Sequence, residues 1–206
     1  MKNAIYQKKL FRVHQFLSDV PIRTLERIDL PGGKLGLTIQ ELGNIVGFGG
    51  EEEVNIGPVT KALFDLRGLI GRIFHWDEVP DLIKQHTYLP HLSPEDRRRS
   101  VVEPGKPAGI SRILYQFENE MLGEIINRTV HCFWVLAMER AATGYVLWVA
   151  VYVKKINWFT PIYMALITPM LKWIIYPAMF RSIKRRWEQH FPSQTGMRYL
   201  PKHRHP

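Results

Sequence analysis

The sequence predicts an α+β fold in which an antiparallel sheet wraps a long C-terminal helix. Three observations predict it. Two amphipathic helices lie between residues 38 and 76, a period of two runs from Arg112 to Lys155, and Asn157 then opens an apolar stretch that reads as helix to about Phe191. The order is strand, two helices, a run of strands, and a final helix.

Each element has a local reason. Val20–Leu30 alternates and stops at Pro31-Gly32-Gly33, so it reads as a short strand entering a turn. Thr38-Ile39-Gln40-Glu41 is a capping box, and Ile39, Leu42, Ile45 and Val46 follow it on one side of a short helix. The stretch GFGGEEE, Gly47–Glu53, ends that helix. Pro58 stands where a first helical residue needs no amide donor, and Leu63, Leu66, Ile70 and Ile73 make the apolar stripe of a second helix. Lys61, Asp65, Arg67 and Arg72 fall mostly away from it. Residues 90–109, with four prolines, read as a polar loop, of the length usually found in lids or disordered segments.

Four strands follow, Arg112–Glu118, Met121–Asn127, Thr129–Glu139 and Tyr145–Lys155, with the hairpin ERAATG between the last two. Alternation places Ile113, Tyr115 and Phe117 on one face of the first. The two central strands are apolar on both faces, more than a single-layer sheet around one helix needs. Something must cover the second face: N-terminal elements, a second subunit as in a homodimer, or a membrane surface. Pro169 and Pro177 are expected to interrupt the final helix.

This is the element order of the helix-grip fold. Leu63–Gly71 (LFDLRGLIG) and, more specifically, Tyr152–Ser182, with Asn157, Tyr163, Pro169 and Pro177 at set spacing, resemble an uncharacterised bacterial domain family. That family is placed in the START-like, birch-pollen-allergen (SRPBCC) superfamily. The resemblance spans roughly residues 55–190. It implies a helix-grip sheet closed on the C-terminal helix, and a cavity for apolar or amphipathic ligands. It implies no reaction. On this reading residues 1–192 form one START-like domain with an N-terminal helical elaboration, and residues 193–206 form a flexible basic tail.

Composition narrows the partners. The chain has 206 residues, 46% hydrophobic and 23% charged, an ordinary globular mixture that excludes disorder and collagen. Residues 1–103 carry 14 basic and 14 acidic groups, whereas residues 104–206 carry 14 and 5, so the net +9 belongs to the second half. Within it, Tyr176, Phe180, Ile183 and Trp187 form an apolar helical stripe, with Arg181, Lys184, Arg185 and Glu188 away from it and Arg186 beside it. More positive charge follows at Arg198, Lys202 and Arg204. A basic amphipathic helix suits weak, reversible contact with an anionic bilayer. Nucleic acid fits less well, since aromatic interleaving and recognised binding motifs are lacking. No apolar run follows the N-terminal charges, so a secretory signal is not expected. The lone Cys132 excludes an internal disulfide. Both point to a cytoplasmic protein, peripheral at the inner membrane face where it meets lipid. Pro161–Phe180 is long enough to span a bilayer, yet its prolines argue against insertion.

Chemistry is sparse. No phosphate loop is present, because Gly47-Phe48-Gly49-Gly50 is followed by three glutamates rather than a lysine. The eight histidines lack metal-ligand spacing, so neither a metal nor a cofactor is predicted. His131 and Cys132 are strand neighbours that point to opposite faces and cannot act as a dyad. Glu118, Glu120, Glu124, Glu139, Arg112, Arg140 and His131 lie on or beside the strands, where most are expected to face solvent or sit at turns. His131 and Glu118 are the acid–base candidates.

Two functions follow. The first is binding of a hydrophobic or amphipathic small molecule, without covalent chemistry, in a cavity between sheet and C-terminal helix. Tyr115, Phe117, Trp134, Trp148 and Tyr163 are expected to line it, as the largest side chains on those elements. The second is a cyclase, hydratase or isomerase using a cavity carboxylate or His131. The absence of a cofactor motif and of a sequence-local catalytic set favours binding. A membrane-surface interaction protein is a third reading.

Overall fold

The computed structural model describes residues 2–47, 85–109, 111–128 and 130–192. Two short helices, α1 (Lys2–Gln7) and α2 (Val13–Phe16), precede strand β1 (Ile22–Pro31) and helix α3 (Ile39–Val46). A 3-10 turn at Leu89–His91 leads to α4 (Pro94–Arg99). Strands β2 (Pro107–Ala108), β3 (Ser111–Gln116), β4 (Glu120–Ile126), β5 (His131–Ala141) and β6 (Gly144–Lys154) follow. Helix α5 (Thr160–Met170) then passes through a π-helical turn (Leu171–Ile175) into α6 (Tyr176–His190). The helix expected around Leu63, Leu66, Ile70 and Ile73 and the basic tail from Ser193 lie outside the described residues.

The fold is α+β: an open six-stranded antiparallel sheet, order β1-β6-β5-β4-β3-β2, with a long C-terminal helix, an arrangement compatible with the helix grip. The Thr38 hydroxyl accepts from the Glu41 amide while Glu41 accepts from the Thr38 amide, so the capping box forms as the sequence predicts. The ERAATG hairpin forms too, turning at Ala142-Thr143. The region between Pro90 and Gly109 is less loop-like than expected. Ser93 and Asp96 cap each other reciprocally and Pro94 takes the first turn, which starts α4 within the proline-rich stretch.

The prolines do not break the final helix. Pro169 sits inside α5, and Pro177 occupies the first turn of α6 directly after the π-helical turn. A wider turn there accommodates the amide that Pro177 lacks. Asn157 acts at the entrance as expected, its Oδ1 accepting from the Phe159 and Thr160 amides at 2.9 and 3.0 Å.

The sheet carries a core on each face. One packs Leu136, Met138, Leu147 and Val149 against α3 and α6, with Ile183 and Trp187 fully buried. The other packs Tyr115, Phe133, Val135 and Trp148 against Tyr6, Val13, Phe16 and Leu17 of the N-terminal helical segment and against Tyr88 and Leu92. The surplus apolar face inferred from β5 and β6 is therefore covered by N-terminal elements, helped by the segment around Tyr88. Polar contacts secure that cover. The Glu120 carboxylate accepts from the Arg12 and Val13 amides at 2.7 and 2.8 Å, and Arg12 makes a two-pronged ion pair with Asp96, both contacts 2.9 Å.

Candidate functional site

Two recesses lie toward one end of the sheet, and the register of β4, β5 and β6 builds both. Ile125, Cys132 and Val153 are cross-strand neighbours in one row, and Ile126, His131 and Lys154 form the next. Adjacent rows point to opposite faces. The first row lines an apolar cleft under α5, and the second lines a polar pocket on the other side.

The apolar cleft has a volume of about 190 Å³. Its sheet wall is Ile125, Val130, Cys132, Trp134, Val151 and Val153. Its helix wall is Tyr163, Met164, Ile167, Leu171 and Tyr176, and Arg23, Thr24, Thr168 and Lys172 bring the polar groups. Arg23 donates to the Thr168 hydroxyl at 3.3 Å, which links β1 to α5. Burial pushes the Tyr176 hydroxyl up. The Trp134 indole lies against Gly123, its cross-strand neighbour.

Of the five residues expected to line a cavity here, the structure places Trp134 and Tyr163 in the cleft. Tyr115, Phe117 and Trp148 stand on the opposite face, in the core under the N-terminal helices. Strand parity explains the division. A register irregularity between Ile113 and Tyr115 in β3 leaves Ile113 with the helix-side core and turns Tyr115 and Phe117 to the other. Trp148 pairs with Ala137, three rows from the Trp134–Val151 pair, and so faces away from it.

The polar pocket, about 450 Å³, is lined by His86, Ile126, Asn127, Arg128, His131, Lys154, Lys155, Ile156 and Asn157. His131 is buried, and its Nε2 lies 2.9 Å from Glu124 Oε1. That carboxylate is also fully enclosed, accepting from the Thr87 hydroxyl at 2.6 Å and the Tyr88 amide at 2.9 Å. Lys154 donates to the Tyr88 hydroxyl at 2.7 Å, and Tyr88 in turn donates to Asp19 at 2.8 Å. That contact raises the Lys154 ammonium further above its ordinary value. Glu118 is exposed at the β3–β4 turn and joins neither recess. The expectation that the strand glutamates mostly face water fails for Glu120 and Glu124, both buried with donors aimed at them. Burial raises the Glu120 carboxyl, opposed by its bonds from Tyr115, Val13 and Arg12.

Arg128, Lys154 and Lys155 escaped the sequence reading as site residues. The signal was available in principle, since three cations flank His131 once β4, β5 and β6 are aligned row by row. Among the described residues no group of three or more His, Cys, Asp or Glu is placed to hold a metal ion.

The final helix also has an open side. Trp158, Leu166 and Trp173 are 77, 72 and 78% exposed, and Ile162 is exposed between the first two. Thr160–His190, 31 residues, is the one helix among the described residues long and apolar enough to cross a membrane by length and composition. Its second half is a core helix, seated through Ile183 and Trp187. Arg181, Lys184, Arg185 and Glu188 are exposed on the other side, as the amphipathic pattern predicts.

No curated protein and no solved structure matches the chain. One family does, described as "Protein of unknown function (DUF2867)", and its match runs over residues 38–178. That span begins at the capping box of α3, takes in β2 to β6 and both recesses of the sheet apart from Arg23 and Thr24, and ends just inside α6. With more than half of its length inside the match, the chain belongs to the DUF2867 family.

Proposed function

We propose that the protein binds the apolar part of an amphipathic small molecule in the cleft between the sheet and α5. The observation that carries this reading is the composition of the wall: apolar side chains from both layers, with Arg23 and Lys172 as its charged groups. A cleft of about 190 Å³ is smaller than the roughly 300–1,000 Å³ that encloses a drug-sized ligand. It suits one acyl or ring fragment, with an anionic head meeting Arg23 or Lys172. Neither a carboxylate nor an imidazole is in this wall, which supports binding without covalent chemistry. The reading accords with a place in the START-like, birch-pollen-allergen superfamily, whose members share the helix-grip arrangement.

The test uses Cys132 as a reporter, since its side chain belongs to the cleft wall. A fluorescent medium-chain fatty acid should bind saturably and slow alkylation of Cys132 by a maleimide. Native mass spectrometry of freshly purified protein should show a co-purifying small molecule. A fatty acid that neither binds nor protects the thiol, with no bound mass, removes the proposal.

A second reading rests on a separate observation, the exposed Trp158, Ile162, Leu166 and Trp173, with exposed Lys155 and Lys172 close to them in sequence. We propose weak, reversible contact of this side with an anionic bilayer, with the exposed cations of α6 adding attraction. Indole rings suit the headgroup level, and each nearby lysine or arginine adds about 1 kcal/mol.

A further inference from the structure

We propose that the polar pocket is a second ligand site, taking a small, multiply charged organic anion that bears phosphate or carboxylate groups. It is independent of the cleft, because the row Ile126–His131–Lys154 faces away from Ile125–Cys132–Val153. Charge is the first argument. Arg128, Lys154 and Lys155 carry fixed positive charge, His86 and His131 add imidazoles, and no carboxylate belongs to the wall. The Asp19 contact to Lys154, at 3.4 Å and largely exposed, neutralises little of it. Cations of like sign gathered around a recess raise its energy until an anion fills it.

Orientation is the second argument. Lys154 is held by the Tyr88 hydroxyl at 2.7 Å rather than left to wander. His131 is held by Glu124, which is itself fixed by Thr87 and Tyr88. Nε2 faces that carboxylate, so the imidazole is fixed in orientation where it borders the pocket. A buried carboxylate setting an imidazole in a recess edged by cations is a preorganised polar wall, whereas a purely structural His–Glu pair requires no such edge. Size is the third argument: about 450 Å³ falls within the range of small-molecule sites.

The experiment is titration of the full chain with inorganic pyrophosphate and, separately, with citrate, at constant ionic strength, followed by calorimetry and by NMR of the His131 ring. Saturable binding of at least one anion is expected, and the stronger arm tells phosphate from carboxylate. The His131 ring signals should move with saturation. Arg128→Ala/Lys155→Ala, which changes two exposed residues, should weaken binding about tenfold or more. Cys132→Trp, which fills the cleft, should leave anion binding intact, so failure of the cleft reading and failure of this one are separable. Absence of saturable binding for both anions, an unmoved His131 ring, or affinity unchanged in the double variant would each overturn the proposal.

Discussion

Trp134 rests its indole directly on the bare backbone of Gly123: a β-carbon at Gly123 would fall 2.1 Å from the ring. The residues are cross-strand neighbours, and the ring they position is part of the cleft wall. Gly123→Ala must therefore push the indole toward α5. Overpacking of this kind costs about 1–3 kcal/mol. Chemical denaturation should show that loss. The same variant should bind the fatty-acid probe more weakly, because the displaced ring enters the space the chain needs.

The Arg12–Asp96 pair ties the start of α2 to α4. Burial alone would raise the Asp96 carboxyl, but hydrogen bonds from Arg12 and Ser93 outweigh it and hold it below the usual carboxylate range. A depressed value in the folded state gives stability that is present above the unfolded value, near pH 4, and lost as pH falls through the folded one. Asp96→Asn should cost about 2 kcal/mol at pH 7, and the gap to the parent should close in acid. Thermal melts of both proteins from pH 7 to pH 3 measure it.

Glu120 works with the opposite sign. Its raised value means that the folded state holds the proton more tightly than the unfolded chain. The resulting stability is present below the unfolded value and lost as pH rises through the folded one. Glu120→Gln keeps the shape but turns an amide donor toward the Arg12 or Val13 amide, at a cost of about 1–3 kcal/mol. As pH falls toward the ordinary glutamate value, near 4, the parent should gain relative to the variant. A gap that narrows on acidification would contradict this.

The exposed side of α5 predicts a salt-dependent attachment. The parent should co-sediment with anionic vesicles at low salt and be released at high salt. Trp158→Ser/Trp173→Ser should abolish the sedimentation without changing the melting temperature, since both side chains are largely exposed. Binding that persists at high salt would point to insertion of the helix instead.

The sheet was legible because period two survives in β4, β5 and β6 with each turn residue in place. What stayed illegible depends on single residues that shift parity or phase. The irregularity at Ile113/Tyr115 exchanges the faces of β3, so Tyr115 and Phe117 point to the N-terminal core although simple alternation joins them to Ile113. Glu120 and Glu124 look like solvated strand positions until Arg12, Val13, Thr87 and Tyr88 arrive from distant parts of the chain to satisfy them. Tertiary hydrogen bonds leave no mark on local hydropathy. The Ser93–Asp96 box lay in plain sight, but the four prolines around it argued for loop.

The π-helical turn at Leu171–Ile175 works like a gear offset on a single shaft. At about 100° per residue, an uninterrupted α-helix would set Met164 roughly 100° around from Ile183. One extra residue in a wide turn takes back about that angle. Met164 can then face the cleft while Ile183 stays seated over the core it shares with α3 on the same side of the sheet, two bearings with separate alignment on the same rod. The portion above the cleft can therefore be trimmed or enlarged by substitution without turning the portion that locks the fold.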